Sequence, residues 1–153
     1  MKLPGLCIAM VLLAGPVVAA ADKMEDALQL LKTAVASKDA VQVKKLVAEI
    51  YPLTSEAMAS AAPQDEDEKA AWTERVASAK STGLYTEYAL YATAVQSPAA
   101  VMVDLISTLE QQNPKSKYLS EAYGPYMLAL SKTGASAKIP AIAEKALENF
   151  PES

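Results

Sequence analysis

The chain has 153 residues, with 14 Lys and Arg, 18 Asp and Glu and no histidine, so its formal net charge at pH 7 is −4. With a single arginine and scattered lysines, it has no basic stripe that would follow a phosphate backbone, and nucleic acid is a poor partner. The lack of histidine and the single cysteine exclude the usual zinc, copper and haem sites and the familiar nucleophilic triads.

The first 21 residues are typical of a signal peptide. Lys2 supplies a positive start, residues 3–18 are apolar, and the alanines at 19–21 precede Asp22. A retained membrane anchor, the alternative, needs about 20 uninterrupted apolar residues, and Gly and Pro interrupt this stretch. We therefore expect cleavage after the second or third alanine, a periplasmic or secreted protein, and no membrane span in the rest of the chain.

Cleavage would remove Lys2 and Cys7 and leave 13 basic against 18 acidic residues. Residues 22–153 have the length of one domain that can bury a core without disulfides. Ala, Leu, Lys, Glu and Ser dominate this part, and no long stretch alternates apolar with polar residues, so we predict an all-α fold. The acidic run 65–68 lacks the ligand spacing of a calcium loop, and neither a metal nor a cofactor is expected.

The first hairpin is marked by capping residues. Asp22 is followed three residues later by Glu, and Asp39 is followed three residues later by Gln. Such capping boxes predict helices that begin near Met24 and Ala40, and Pro52 is expected to end the second of them. These signals predict a first hairpin over residues 23–51.

Residues 53–81 fit no hairpin, and Pro63 lies near their middle. We expect a short alanine-rich turn that ends at Ala62. The acids of residues 65–68 are then expected to cap a longer helix through Lys80 and to complement the positive end of its dipole. The sequence therefore predicts a nonstandard helical insert.

Two further hairpins follow. Ser97 precedes Pro98, a pair that is typical of a helix start, and Ser136 is expected to cap the last helix with Pro140 in its first turn. Apolar residues recur at helical spacing after both serines. These hairpins are predicted over residues 84–113 and 117–150.

The last two hairpins repeat each other. Moving the last hairpin back by 35 residues places Tyr123 on Tyr88 and Tyr126 on Tyr91, and the second helices align at an offset of 37 residues. A repeat of this length is typical of a helical solenoid.

Several positions in these hairpins resemble tetratricopeptide repeats. They are the closing prolines, the small residues before the last of them, and a large residue followed by glycine: Pro114, Pro151, Ala143, Ala146, Tyr123 and Gly124. The resemblance is to a degenerate, small secreted bacterial type, covers residues 84–153 best and extends more weakly to residues 23–52. No tryptophan opens the repeats, and Pro125 is expected to kink or delay its helix.

This resemblance implies antiparallel hairpins stacked as a short right-handed solenoid, whose first helices line a concave surface that holds a protein or peptide segment. The tyrosines of these helices are the candidate groove residues: Tyr85, Tyr88, Tyr91, Tyr123 and Tyr126. Rings of this kind combine a large contact area with a polar tip. In the alternative, the same rings pack between hairpins in the core.

Catalysis is not expected, because the acids of the last two hairpins, among them Glu110, are spread over several helices at positions that fit an exposed face or a helix terminus. Two other classes remain. The first is a scaffold or adaptor of the cell envelope that binds a protein or peptide, and the second is a helical bundle that carries a lipid or another small apolar ligand. The sequence leaves open the oligomeric state and whether residues 53–81 cover the concave face.

Overall fold

A computed structural model describes the backbone of residues 15–151 and the side chains of residues 21–151. Most of the predicted signal peptide, residues 1–21, lies outside the residues whose side chains are described, so its cleavage stays a prediction. Over residues 15–151, no helix combines the length and the apolar character that a membrane span requires.

Six α-helices and one short 3₁₀ turn form the described chain, without a strand between residues 15 and 151. This confirms the predicted all-α class. The helices are α1 (Gly15–Ala36), α2 (Ala40–Ala59), α3 (Glu66–Ala94), α4 (Ala99–Gln112), α5 (Lys117–Lys132) and α6 (Ile139–Asn149), and the 3₁₀ turn Ser136–Lys138 precedes α6.

Two of the predicted helix caps are confirmed. Oδ1 of Asp39 accepts a hydrogen bond from the backbone N–H of Gln42 at 3.0 Å, and α2 begins at the next residue after Asp39. Oδ1 of Asp65 accepts from the N–H groups of Asp67 at 2.9 Å and Glu68 at 3.2 Å at the start of α3. Each carboxylate thereby binds amides that have no partner within the helix.

The other three predicted caps do not form. Helix α1 begins at Gly15 and already includes Asp22, so Asp22 lies inside the helix. Ser97 does not cap α4, because its hydroxyl donates to the carbonyl of Thr93 at 2.7 Å and the helix begins only after Pro98. Ser136 makes no capping hydrogen bond and opens the 3₁₀ turn, whereas proline stands in the first turn of α6 as predicted.

The prediction that Pro52 ends its helix is also wrong, since α2 continues through it to Ala59. Proline removes the N–H that would bind the carbonyl four residues earlier, here that of Ala48. Both Pro52 and Ala48 are exposed, so water can bind the freed carbonyl. The same arrangement holds in α5, where Pro125 and Glu121 are both exposed and the helix runs on to Lys132.

As a result, residues 53–81 are divided between two long helices. Their first part completes α2, and their second part begins the 29-residue α3, which continues without interruption into the first helix of the predicted second hairpin. Trp72 ties the two helices together: its indole N–H lies 2.9 Å from the hydroxyl and 3.2 Å from the carbonyl of Ser60.

The helices pack in chain order, each against the next. In addition, α1 contacts α3, α3 contacts α5, and α2 contacts α4, so α1, α3 and α5 lie side by side. One apolar core receives side chains from all six helices. Its central members include Leu31, Ile50, Leu90, Leu105, Leu109, Leu119, Leu130 and Ile142.

Candidate functional site

Four tyrosine rings meet where α3 lies against α5. The rings of Tyr85 and Tyr88 have centroids 5.8 Å apart, Tyr88 and Tyr118 are 6.0 Å apart, and Tyr118 and Tyr91 are 5.5 Å apart. These separations fall in the range of attractive aromatic pairs. We refer to Tyr85, Tyr88, Tyr91 and Tyr118 as the tyrosine cluster.

Helical geometry positions three members of the tyrosine cluster. Tyr85, Tyr88 and Tyr91 follow one another at intervals of three residues on α3, so successive rings are neighbours and the three span about a third of the helix circumference. Tyr118 stands in the first turn of α5 and completes the cluster from the neighbouring helix.

The tyrosine cluster is partly open to solvent. Tyr88 is 42% exposed. The other three members, Tyr85, Tyr91 and Tyr118, are half-buried and pack against the core. Leu84, beside Tyr85 in the chain, is 45% exposed. The tyrosine cluster therefore forms an apolar, aromatic surface, and three of its rings pack on the core.

Two charged groups of α5 border the tyrosine cluster. The hydroxyl of Tyr91 donates to Oε2 of Glu121 at 3.0 Å, and this hydrogen bond raises the pKa of Tyr91. Burial, with a smaller contribution from Tyr88, raises the pKa of Tyr85. The ammonium of Lys117 lies 5.0 Å from the centroid of the Tyr118 ring, within the range of a cation–π contact.

The other two predicted groove tyrosines lie elsewhere. Tyr123 and Tyr126 are each only 4% exposed and belong to the core. The rings of Tyr123 and Phe150 form a T-shaped pair, with centroids 6.2 Å apart. The structure thus brings together three of the five predicted residues, and Tyr123, which the sequence repeat aligns with exposed Tyr88, faces inward.

The sequence interpretation missed Tyr118. A signal was available, because Tyr118 directly precedes Leu119, which lies on the buried face of α5 with Tyr123. Helical periodicity places a residue next to such a face at its border. The pairing with Tyr88, 30 residues away, arises only from the contact of α3 with α5.

Glu110 lies in the last turn of α4, one of the two kinds of position expected for it, but it does not lie on an exposed face. Glu110 is only 8% exposed. Its Oε1 accepts from the hydroxyl of Tyr123 at 3.1 Å, and its Oε2 lies 2.8 Å from the ammonium of Lys145. A buried carboxylate needs such partners, and here they come from α5 and α6.

Two depressions are lined by residues outside the tyrosine cluster. A cavity of about 180 Å³ lies between α2, α3 and the end of α4, where the Asn113 amide donates to Oε1 of Glu87 at 2.8 Å. A shallow groove of about 470 Å³ runs between α2 and α4 and is crossed by the ion pair of Lys44 with Asp104 at 2.6 Å. Within the described part of the chain, no three Asp, Glu, Cys or His side chains gather as a metal site would require.

Comparison of the chain with known protein families, curated proteins and solved structures returned no match.

Proposed function

We propose that this protein is a non-enzymatic scaffold or adaptor that binds a protein or peptide segment on the exposed side of the tyrosine cluster. The observation that carries the proposal is the continuous row of four rings across α3 and α5, with Tyr88 at its most exposed point. Tyrosine is enriched at the energetic centres of protein interfaces, because it buries a large area and keeps a polar tip.

The contacts between rings support this proposal. Each ring of the tyrosine cluster touches at least one other ring, and three of the four also pack on the core. Side chains held in this way lose little conformational freedom when a partner binds. The surface is therefore arranged in advance for binding.

The proposed architecture is a tetratricopeptide-like right-handed stack of three hairpins, formed by α1 with α2, α3 with α4, and α5 with α6. The contacts of α1 with α3 and of α3 with α5 support it, since such a stack places its first helices side by side. The tyrosine cluster would then occupy the layer of first helices. We further propose that the protein is exported and acts in the periplasm or outside the cell.

Native mass spectrometry of the protein isolated from its own cell envelope tests the proposal. We expect the mass of the chain without residues 1–20 or 1–21 and a complex with a second polypeptide. An added mass that matches a small apolar molecule would instead favour the carrier function, in which the helices enclose a lipid or similar ligand.

A matched pair of variants assigns the binding surface. Tyr88→Ala removes a ring that is 42% exposed and belongs to the tyrosine cluster. Tyr51→Ala removes a ring of similar exposure, 39%, from α2. The proposal requires that Tyr88→Ala loses the polypeptide partner while Tyr51→Ala keeps it; equal recovery of the partner by both variants would contradict the proposal.

A further inference from the structure

We propose that the cavity between α2, α3 and the end of α4 is a binding site for a small primary alkylammonium ion. The residues that line this cavity lie outside the tyrosine cluster, so the inference does not depend on the proposed function.

The cavity has the size of a small organic ligand. Its volume of about 180 Å³ is similar to that of engineered cavities of about 150 Å³ that bind benzene, so it can hold roughly six non-hydrogen atoms. Gly83 leaves part of this space free, since the heavy atom nearest to a β-carbon built there is the Thr54 hydroxyl oxygen, 4.0 Å away. Tyr51 and Met58 line the same cavity and are 39% and 42% exposed, so a ligand can enter on their side.

Three hydroxyl groups of the cavity wall can accept hydrogen bonds but have no proton left to donate. The buried Thr54 hydroxyl donates to the carbonyl of Tyr51 at 2.9 Å. The buried Thr86 hydroxyl donates to the carbonyl of Gly83 at 2.7 Å. The hydroxyl of Tyr51 donates to the carbonyl of Gln112 at 3.1 Å. Because a hydroxyl carries one proton and two lone pairs, these oxygens can only accept from a ligand.

A negative charge completes the cavity wall. Glu87 is half-buried, and its Oε1 accepts from the amide of Asn113 at 2.8 Å. Within residues 21–151, the Glu87 carboxylate makes no ion pair with a lysine or arginine. Lys115, which follows Asn113 by two residues, is exposed and lies outside the described lining of the cavity. The charge of Glu87 is therefore free to attract a cationic ligand.

These features select a ligand that is positive and donates hydrogen bonds. A primary ammonium group has three donors and no acceptor, which complements a carboxylate and hydroxyl oxygens. Ser55 and Gln112 also line the cavity and carry both donors and acceptors, so each can turn an oxygen toward the ammonium. The ring of Tyr51 and the side chain of Met58 offer apolar surface to the alkyl chain.

A metal ion matches the cavity less well. Calcium takes about six to eight oxygen ligands, several of them usually from carboxylates. Glu87 is the acidic residue of this lining, and the described part of the chain contains no cluster of three potential metal ligands. An organic cation also fills the volume that a bare ion would leave empty.

Titration followed by nuclear magnetic resonance tests this inference, with n-butylammonium chloride as the probe at pH 7, where the amine is protonated. The backbone amides of residues 83–87 are the reporters. The controls are 1-butanol, which has the same chain without a charge, sodium butyrate, which has the opposite charge, and calcium chloride. We expect saturable shifts with the probe and at least about tenfold weaker binding of each control, which corresponds to about 1.4 kcal/mol.

A first pair of variants tests the charge. Glu87→Gln removes the negative charge but keeps a carbonyl oxygen that can accept from the Asn113 amide. We expect it to weaken binding of the probe at least about tenfold. Glu56→Gln removes a charge from an exposed position of α2 outside the cavity lining and should leave the affinity unchanged.

A second pair tests the space. Gly83→Ala adds a methyl group beside Thr54 at an ordinary contact distance, so the variant should fold while the cavity becomes smaller. We expect about tenfold weaker binding of the probe, the usual effect of one methyl group in a close-fitting site. Gly124→Ala adds the same group to α5 in open space and should bind as the wild type does. Circular dichroism verifies the helix content of all four variants.

The outcomes decide the inference without touching the scaffold function. Binding of the probe in the cavity that depends on both Glu87 and Gly83 would support it. Equal binding of 1-butanol and the probe, equal shifts with calcium chloride, or unchanged affinity of Glu87→Gln would overturn it, as would the absence of any shift. The scaffold function depends instead on whether Tyr88→Ala loses the polypeptide partner in native mass spectrometry.

Discussion

Lys145 of α6 places its ammonium 2.8 Å from Oε2 of Glu110 on α4, while Oε1 of the same carboxylate accepts the hydroxyl of Tyr123 on α5. Three helices thus share one buried acid. Because α6 is the last helix, this carboxylate is one of the groups that attach the end of the chain to the core.

Glu110→Ala should lower the free energy of unfolding by about 1–3 kcal/mol, because it leaves the buried hydroxyl of Tyr123 without its acceptor. Glu144→Ala, an exposed position on α6, should change it by no more than about 0.5 kcal/mol. Urea unfolding followed by circular dichroism measures both. Similar effects at the two positions would show that the buried carboxylate is not a structural link.

The ion pair of Lys145 with Glu110 should contribute less to the free energy of unfolding than the buried hydrogen bond of Tyr123 with Glu110. The side chain of Lys145 is 51% exposed, so water screens its interaction with Glu110. In a double-mutant cycle that combines Lys145→Ala with Glu110→Ala, we expect a coupling free energy of at most about 1 kcal/mol. A much larger value would mean that the pair is shielded from solvent.

Alkaline pH should destabilise the protein. Burial raises the pKa of Tyr123 and of Tyr126 above the usual 10.0, and the hydrogen bond with Glu110 raises the pKa of Lys145 above 10.5. A raised folded-state pKa gives a contribution that is fully present below the unfolded pKa and is lost as pH rises through the folded pKa. Stability should therefore be insensitive to these groups near pH 7 and fall above about pH 10.

Unfolding by urea at several pH values, with tyrosinate absorbance recorded in parallel, measures this dependence. Tyr123→Phe removes one of the titrating groups, so its loss of stability above pH 10 should be less steep than that of the wild type. An unchanged slope would show that Tyr123 does not contribute to the alkaline transition.

Truncation of two leucines on α5 should lower the free energy of unfolding by very different amounts. Leu130 is fully buried, whereas Leu128 is 57% exposed. Leu130→Ala should lower the free energy of unfolding by about 2–5 kcal/mol, and Leu128→Ala by no more than about 0.5 kcal/mol. Thermal unfolding of the two variants tests the orientation of α5; a large effect at Leu128 would indicate that this face is covered in solution.

Alanine substitutions at two glycines should change the stability of the protein in opposite directions. A β-carbon at Gly83, inside α3, would lie 4.0 Å from the Thr54 hydroxyl oxygen, an ordinary contact, so Gly83→Ala should stabilise the protein by about 0.5–1 kcal/mol. Gly134 has a φ of 76°, in the left-handed region, and Gly134→Ala should destabilise by about 1–2 kcal/mol. Thermal unfolding measures both, and a lower melting temperature for Gly83→Ala would contradict the packing of α3 on α2.

Local signals predicted some helix boundaries well and others poorly. Asp39 and Asp65 cap the helices that the sequence assigned to them, because a capping carboxylate acts on amides within three residues. Pro52 does not end α2, because the cost of its missing hydrogen bond depends on whether the freed carbonyl faces water. That orientation depends on how α2 packs.

The same distinction applies to the site. The spacing of Tyr85, Tyr88 and Tyr91 determines that their rings share one side of α3, since this follows from helical geometry alone. The fourth ring, Tyr118, joins them through a contact between helices. Tyr126 aligns with Tyr91 in the sequence repeat, yet Tyr126 is buried.

By itself, the sequence determined the helical class, the caps at Asp39 and Asp65 and the arc of tyrosines on α3, because each depends on residues within two turns of one helix. The tertiary structure decided that α2 and α3 absorb residues 53–81, that Tyr118 completes the tyrosine cluster and that Glu110 is buried. These features depend on which helix faces are brought together, and burial of apolar area between distant segments sets that arrangement.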